Sequence, residues 1–302
     1  MDKPECGICG AGPESQGIRS ETVHGGNGAQ KIWRCAACGA IYLHPQPTVE
    51  EEELFYREEF EKYMQRRSGG DRDWSGAEKH AASNRDQVER RMKYLAPRLE
   101  AGMKVLEVGC SSGFMLEALS GRGLECAGVE PSGAFSGYLR ARGFEVFGSL
   151  DSACAEAAGR FDAVLHFFVL EHVRNPFDFF DKCLRLVKPG GRVIGELPCA
   201  DDPLISVYDI SAFEKFYWQA AHHFYYNRGA LSRVLDGTGM KYEILPQQRY
   251  DLSNHVVWMT EGKPGGAGRF DGIFSAEMNE AYRRDLERAW RCDTMIVLLE
   301  KG

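Results

Sequence analysis

The stretch "VLEVGCSSGFMLEAL", residues 105–119, runs from a small apolar strand through glycine into an amphipathic helix. Gly109 lets the chain leave the strand and pass close to a ligand, and Gly113 sits at the helix start. Exposed N–H groups at that helix end favour polar or anionic ligand groups. Twenty-one residues beyond Gly109 stands Glu130, at the end of the next strand, where a carboxylate can accept both hydroxyls of a ribose. So far the turn fits NAD as well as S-adenosylmethionine (SAM). The dinucleotide fingerprint needs glycine at the middle position, where the pyrophosphate approaches. Here that residue is Ser111, and Glu107 is a second departure. SAM has no pyrophosphate and does not require the middle glycine.

Outward from this turn, strands and helices alternate. "MKVLEVG", "LECAGVEPS", "FEVFG", "FDAVLHFFVLEHV" and "RVIGELP" read as strands, separated by the helical "SGFMLEALSGRG", "GAFSGYLRARG" and "PFDFFDKCLRLVKPGG". This order predicts an α/β fold, a parallel sheet covered on both faces, with ligands at the carboxyl ends of the strands. Further on, "MKYEILPQQRYDL" and "HVVWMTEGK" read as late strands, "FSAEMNEAYRRDLERAWRC" as a helix and "DTMIVLLEKG" as the closing strand. "GKPGGAGRFDG" reads as a flexible surface turn.

At the amino terminus "CGIC" (Cys6, Cys9) is answered by "CAAC" (Cys35, Cys38). Each Cys-x-x-Cys pair can aim two thiolates at one tetrahedral ion, and Gly10 and Gly39 let backbone N–H groups turn toward the sulfurs. A redox pair would not need a second copy. The reading is a structural Zn²⁺ in a ribbon, with no position left for a catalytic water. A connector follows, in which Thr48 caps a helix opened by four glutamates, a break falls at Gly69–Gly70, and Val88, Met92 and Leu95 or Leu99 share a second helix face. Its aromatics (Phe55, Tyr56, Phe60, Tyr63, Trp74) read either as part of an ordinary helix face or as a lid. The expected organisation is a ribbon over 1–48, a helical connector or lid over 49–100, and a cofactor domain over 101–302 with substrate-side insertions near 198–226 and 250–292.

The chain has 302 residues, 43% hydrophobic and 27% charged, with a net charge of −7. That balance argues against nucleic acid as a partner, and the ribbon's own charges sum to zero. No apolar run reaches the roughly 20 residues of a membrane span, and no secretory signal pattern stands at the start, so a cytoplasmic location is expected. Six further cysteines are scattered singles, expected as small buried hydrophobes.

"LEVGCSSGFML", "GVEPS", "FDAVLHFFVLEHVRNP" and "LVKPGGRVIGELP", in this order and spacing, resemble the class I SAM-dependent methyltransferases. With "WRCAACGAIYLHPQP" added, the chain resembles the branch acting on sugars and glycans, including zinc-ribbon sugar C-methyltransferases. Those enzymes carry a further carboxyl-terminal domain that these residues do not include, which weakens C-methylation as the assignment. The resemblance implies a Rossmann-like sheet, mostly parallel with an antiparallel last strand, and a small zinc ribbon. It also implies that Glu107, Gly109, Ser111, Gly113 and Phe114 surround the methionine and ribose portions of SAM. Glu130 would hold the ribose hydroxyls and Pro131 would lie against the adenine, with Leu150, Asp151, Phe167 and Phe168 completing the site.

Methyl transfer needs an in-line nucleophile, and a base only where the acceptor must lose a proton. "LEHVRNP" offers Glu171 and His172; "FEKFYWQAAHHFYYNRGALSRVLDGTG" offers His222 and His223 ahead of Asn227, a helix cap. Similar enzymes commonly show a Glu-His pair at the latter place. His223 matches its histidine and is the favoured base, while His222 replaces the glutamate. The expected function is methyl transfer, by O- or C-methylation, to a sugar, nucleotide-sugar, glycan or similar small polar molecule. Alternatives are an RNA methyltransferase and a non-catalytic SAM-binding scaffold whose ribbon docks a partner. The oligomeric state is left open.

Overall fold

The computed structural model describes residues 3–67 and 73–302, so the Gly69–Gly70 break lies outside the described residues. The strands are Gln16–Ser20 (β1), Lys31–Cys35 (β2), Ile41–His44 (β3), Lys104–Val108 (β4), Glu125–Val129 (β5), Glu145–Phe147 (β6), Phe161–Phe167 (β7), Val187–Pro198 (β8), Phe224–Tyr225 (β9), Lys241–Gln247 (β10) and Thr294–Glu300 (β11). They form a sheet of order β1-β2-β3-β9 and a larger one of order β10-β11-β8-β7-β4-β5-β6. The chain divides into two compact units, one of residues 1–46, 168–179 and 196–297, the other of residues 47–167, 180–195 and 298–302.

In the second of these units β4 pairs in parallel with β5 and β7, and β5 with β6. Both faces of these strands are covered, which is why Val105, Leu106, Ala163, Val164 and Leu165 are fully buried and the strands read as continuous apolar runs. The helix Phe114–Ser120 turns Met115, Leu116 and Leu119 into the core. The last strand reverses direction. Lys301 N–H bonds to Gly191 O at one end of β8 and Cys199 N–H to Asp293 O at the other, which fixes β11 antiparallel to β8.

The connector also belongs to this unit. Thr48 and Glu51 form a reciprocal capping box at the glutamate-rich helix Val49–Leu54. Phe55 meets Tyr56, Phe60 and Tyr63 edge-on, and Trp74 lies 4.0 Å from the His80 ring and 6.2 Å from Phe135. The second connector helix is two, Ala77–Ala82 and Arg85–Leu95, because Asn84 turns its side-chain amide back to His80 O.

In the other unit β1, β2 and β3 form an antiparallel ribbon, and β3 gains a second partner, the sheet's fourth strand, from far along the chain, β9, through Ile41 opposite Tyr225 and Tyr42 opposite Phe224. Ile32, Leu43, Trp218, Tyr225 and Trp258 pack into one core. The "HVVWMTEGK" segment, read above as a strand, is instead helical up to Glu261, within the helix Leu252–Glu261. Asp251 caps it by accepting from Asn254 N–H, Gly262 stops it with φ +64°, and Asn254, Val257 and Trp258 face inward at helical spacing. The loop beyond is tied back to that cap, Gly268 N–H donating to Asp251 at 2.8 Å. Among the described residues no helix is long and apolar enough to cross a membrane.

Candidate active site

The turn at the end of β4 has the conformation its residues require. Gly109 and Gly113 stand at φ +70° and +73°, and a side chain at Gly113 would also run into Leu139. Ser111, between them, holds φ +45° despite its side chain. Its N–H donates to Glu130 Oε2 at 2.7 Å, and Ser132 N–H donates to Oε1 at 2.8 Å. One carboxylate therefore ties the glycine turn to the exit of β5, through the start of the helix Gly133–Ala141. Burial pushes Glu130 up to about 7, against the pull of those two N–H groups and with a further push from Glu61. Glu107 is buried and its Oε2 has no hydrogen-bond partner. Burial raises it to about 8, Arg91 opposing and Glu130 adding to the shift.

The other carried-over residues are less alike. Phe114 is half-buried and Phe167 buried, whereas Pro131 is exposed. Leu150 and Asp151 open a helix capped by Ser149, and the Asp151 side chain, 75% exposed, pairs with Lys182 at 2.7 Å. Phe168 belongs to the other unit and stands in the left-handed region, at φ +58°.

Three residues here were missed by reading the sequence. Arg91 is buried, with its guanidinium 4.2 Å from the Phe167 ring centre and 5.5 Å from that of Phe114. His80 is buried and its Nδ1 lies 2.7 Å from Ser112 Oγ, inside the glycine turn. Glu61 accepts from Ser132 Oγ at 2.5 Å. The signal for Arg91 was present: it falls three residues after Val88 and four before Leu95, a charge placed on the apolar stripe.

In the unit that contains Phe168, the structure brings Glu171, His172 and His222 together, with one ligand-type atom from each within 4.8 Å of the others. His172 Nδ1 lies 2.8 Å from Ala221 O. A carbonyl can only accept, so Nδ1 carries the proton and a neutral ring has its lone pair on Nε2. That atom is 4.0 Å from Glu171 Oε1. The His222 ring stands edge-on to His172 at 4.6 Å. Glu171 is buried, its Oε2 lacks a hydrogen-bond partner, and burial lifts it to about 8. His223 is buried beside this trio in sequence but is not one of the three. Its backbone joins two segments, its N–H donating to Glu171 O at 2.8 Å and its O accepting from Leu43 N–H at 3.0 Å.

The four ribbon cysteines also converge, their sulfurs all within 4.8 Å of one another. Cys6 and Cys38 are 3.6 Å apart, Cys9 and Cys35 3.7 Å. Four ligands about 2.3 Å from a tetrahedral zinc would be separated by about 3.8 Å, so the donor set fits that ion. Gly10 and Gly39 take φ of +71° and +74°, closing the two knuckles.

With this geometry in hand, comparison with known proteins is decisive for the family. A methyltransferase-domain family model matches residues 80–244, more than half of the chain. The chain belongs to the methyltransferase-domain family. Ubiquinone biosynthesis O-methyltransferase of Dechloromonas aromatica is 38% identical over 100 residues, which cover 31% of this chain and 43% of that protein. The chain thus spans less than half the length of the curated relatives it matches. Among solved structures, a SAM-dependent methyltransferase from Archaeoglobus fulgidus superposes with a TM-score of 0.54 at 16% identity, covering 81% of this chain and all of that one. Phosphoethanolamine N-methyltransferase 2 of Haemonchus contortus, solved with S-adenosylhomocysteine, gives 0.53 at 16% identity over 87% of this chain and 62% of its own. The fold is the Rossmann-like fold of class I SAM-dependent methyltransferases, with a mostly parallel sheet and an amino-terminal four-cysteine cluster.

Proposed function

We propose that this methyltransferase-family chain binds SAM and transfers its methyl group to a small polar acceptor, most closely a sugar, nucleotide-sugar or glycan. The observation that carries the reading is Glu130, held by Ser111 N–H and Ser132 N–H at the glycine turn. A carboxylate so fixed accepts hydrogen bonds from ribose hydroxyls without having to be ordered first. Glu107, buried and without a hydrogen-bond partner, would meet the methionine ammonium, whose charge would return its carboxyl to the ionised form. Gly109 and Gly113 would give the backbone its close approach, and Phe114 and Phe167 would pack on the nucleoside. SAM supplies an activated methyl group when bound. The chain's own task is then to orient the acceptor and take its proton.

For that proton the trio Glu171, His172 and His222 is the strongest grouping in its unit, with His172 Nε2 as the receiving atom in the tautomer that Ala221 O selects. His223 would act chiefly by fixing the backbone between β3 and Glu171. An oxygen acceptor is favoured by the O-methyltransferase relatives. Cys6, Cys9, Cys35 and Cys38 would hold a structural Zn²⁺ in the ribbon over 1–48. The test is calorimetric titration with SAM, S-adenosylhomocysteine and NAD, then transfer of labelled methyl to a panel of sugars, nucleotide sugars and phenols. Binding of NAD alone would refute the cofactor assignment. Transfer to phenols but not to sugars would refute the acceptor class.

A further inference from the structure

Arg249 stands two residues past the end of β10 and is held deep in its unit by three groups. Its backbone N–H and its Nε both donate to the buried Asp293 carboxylate, at 2.9 and 3.0 Å. Its guanidinium lies 4.6 Å from the Phe168 ring centre and 5.1 Å from that of Tyr250, which fixes the plane of the fork. These contacts use one edge. Nη1 and Nη2 make no hydrogen bond or ion pair among the described residues, and 22% of the side chain reaches solvent. The Nη1 and Nη2 end therefore presents a rigid pair of N–H donors whose geometry matches a carboxylate or phosphate in bidentate fashion.

What surrounds the guanidinium supports a ligand role over a purely structural one. Besides Asp293, the buried Glu196 also feels Arg249's charge, while Glu171, which feels it too, is lifted by burial to about 8. Glu171 Oε2 and the hydroxyl of Tyr226 are both buried with no hydrogen-bond partner, and the two residues sense each other electrostatically. Unmet polar atoms of this kind are costly unless something from outside completes them. Phe168, the platform under Arg249, adopts the left-handed φ that a side chain normally avoids, as residues at ligand sites often do.

We propose that Arg249 seats an anionic group of the acceptor, a carboxylate or a phosphate, while hydroxyls of the same molecule meet Glu171 and Tyr226. The inference rests on the methyl-transfer reading only for calling that molecule the acceptor. Asp293 orients the fork, and Phe168 and Tyr250 hold it flat.

The test uses matched pairs that differ in the anion: glucose 6-phosphate against glucose, and 3,4-dihydroxybenzoate against catechol. Binding of each is measured to the full chain with S-adenosylhomocysteine present, for wild type, Arg249→Gln and Arg249→Lys. At least one anionic member should bind wild type about tenfold or more tightly than its neutral partner, and which pair does so separates phosphate from carboxylate. In Arg249→Lys the preference should fall to roughly twofold, because the charge beside Asp293 survives while the fork does not. That variant keeps the test sharp if Arg249→Gln strands Asp293 and fails to fold. Equal binding of both members in each pair, no binding of either anion at millimolar concentration, or full preference in Arg249→Lys would overturn the proposal. Failure of wild type to bind S-adenosylhomocysteine would sink the cofactor reading instead, and the same pairs titrated without it would still decide the role of Arg249.

Discussion

The pH dependence of cofactor affinity gives the sharpest check on Glu130. Its carboxyl is pushed up to about 7 by burial, although Ser132 and Ser111 N–H pull the other way. If the ribose hydroxyls of S-adenosylhomocysteine donate to this group, only the ionised form accepts both well. Binding then competes with a proton, and affinity rises with pH through the carboxyl's own titration. With a value near 7, about 3% of the group is ionised at pH 5.5 and about 97% at pH 8.5, so Glu130 by itself contributes a factor of about thirty to the change in Kd.

Replacing Glu130 by Gln removes the charge while keeping the shape and one acceptor oxygen. A hydrogen bond to a charged group is worth about 1.5–3 kcal/mol, so Glu130→Gln should weaken binding by roughly 10- to 150-fold at pH 8.5. At pH 5.5 the wild-type carboxyl is itself neutral, and the two proteins should differ by only a few-fold. The assay is calorimetric titration with S-adenosylhomocysteine at half-unit steps from pH 5.5 to 8.5. The slope that remains in the variant up to about pH 8 belongs to Glu107, raised to about 8, and should vanish in the double variant Glu130→Gln/Glu107→Gln. Equal affinity of wild type and Glu130→Gln at pH 8.5, or an unaltered slope below pH 7 in the variant, would refute the reasoning.

Stability without cofactor should run the opposite way. Glu107, Glu171, Asp202 and Glu130 have folded values raised to about 8, 8, 8 and 7, so each contributes stability that is present below its unfolded value and lost as pH rises through the folded one. His166 and His255, lowered to about 3 and 4, lose their contribution as pH falls below about 6.5. The melting temperature of the cofactor-free protein should therefore peak near pH 5 and fall steeply from about 6.5 to 8; a flat or rising profile there, read by differential scanning fluorimetry, would contradict it. Gly195→Ala would drive a methyl group into the buried His166 ring and should cost about 1–3 kcal/mol, seen as a lower urea midpoint with unchanged slope. Asp251→Ala removes the cap of Leu252–Glu261 and the bond to Gly268 N–H together, and should cost more than the roughly 1 kcal/mol of a cap alone. Elemental analysis should find roughly one zinc per chain, lost in Cys9→Ser with a lower melting temperature; full stability in that variant would exclude a structural ion.

Much of this molecule can be read locally. The continuous apolar runs of β4, β7 and β11, the glycine turn, the paired cysteines and the Thr48 and Asn227 caps each announce themselves over a few residues. The failures have physical causes. The run His255–Val256–Val257–Trp258 has strand-like composition, and only its cap and its buried helical face reveal the helix Leu252–Glu261, where tertiary packing overrides local propensity. The split at Asn84 depends on one side chain bonding backwards, which periodicity cannot show. Arg249 sits in the polar run "QQRYDL", and nothing local says that Asp293 and Phe168 will meet it there. Contacts made over such separations are set by the sheet, not by the neighbours in sequence.

The pairing of β3 with β9 shows what that long-range order accomplishes. The first cysteine knuckle lies against the segment from His222 to Asn227, with Gly7 placed so that a side chain there would meet the Phe224 ring at 3.4 Å. The second knuckle does the same, a side chain at Gly39 being placed to meet Asn227 Nδ2 at 3.4 Å. Between them Tyr42 donates to Gln16, whose amide in turn points at Cys35 sulfur at 3.7 Å. From β3 the hydrogen bonds continue through Leu43 and His223 to Glu171. A ribbon that merely decorated the chain would need none of these contacts. Because the backbone that presents His222 and His223 is one edge of the ribbon's own sheet, the cysteine cluster and the candidate acceptor residues belong to a single hydrogen-bonded layer. Loss of the ribbon's fold would release the very segment on which those histidines are carried.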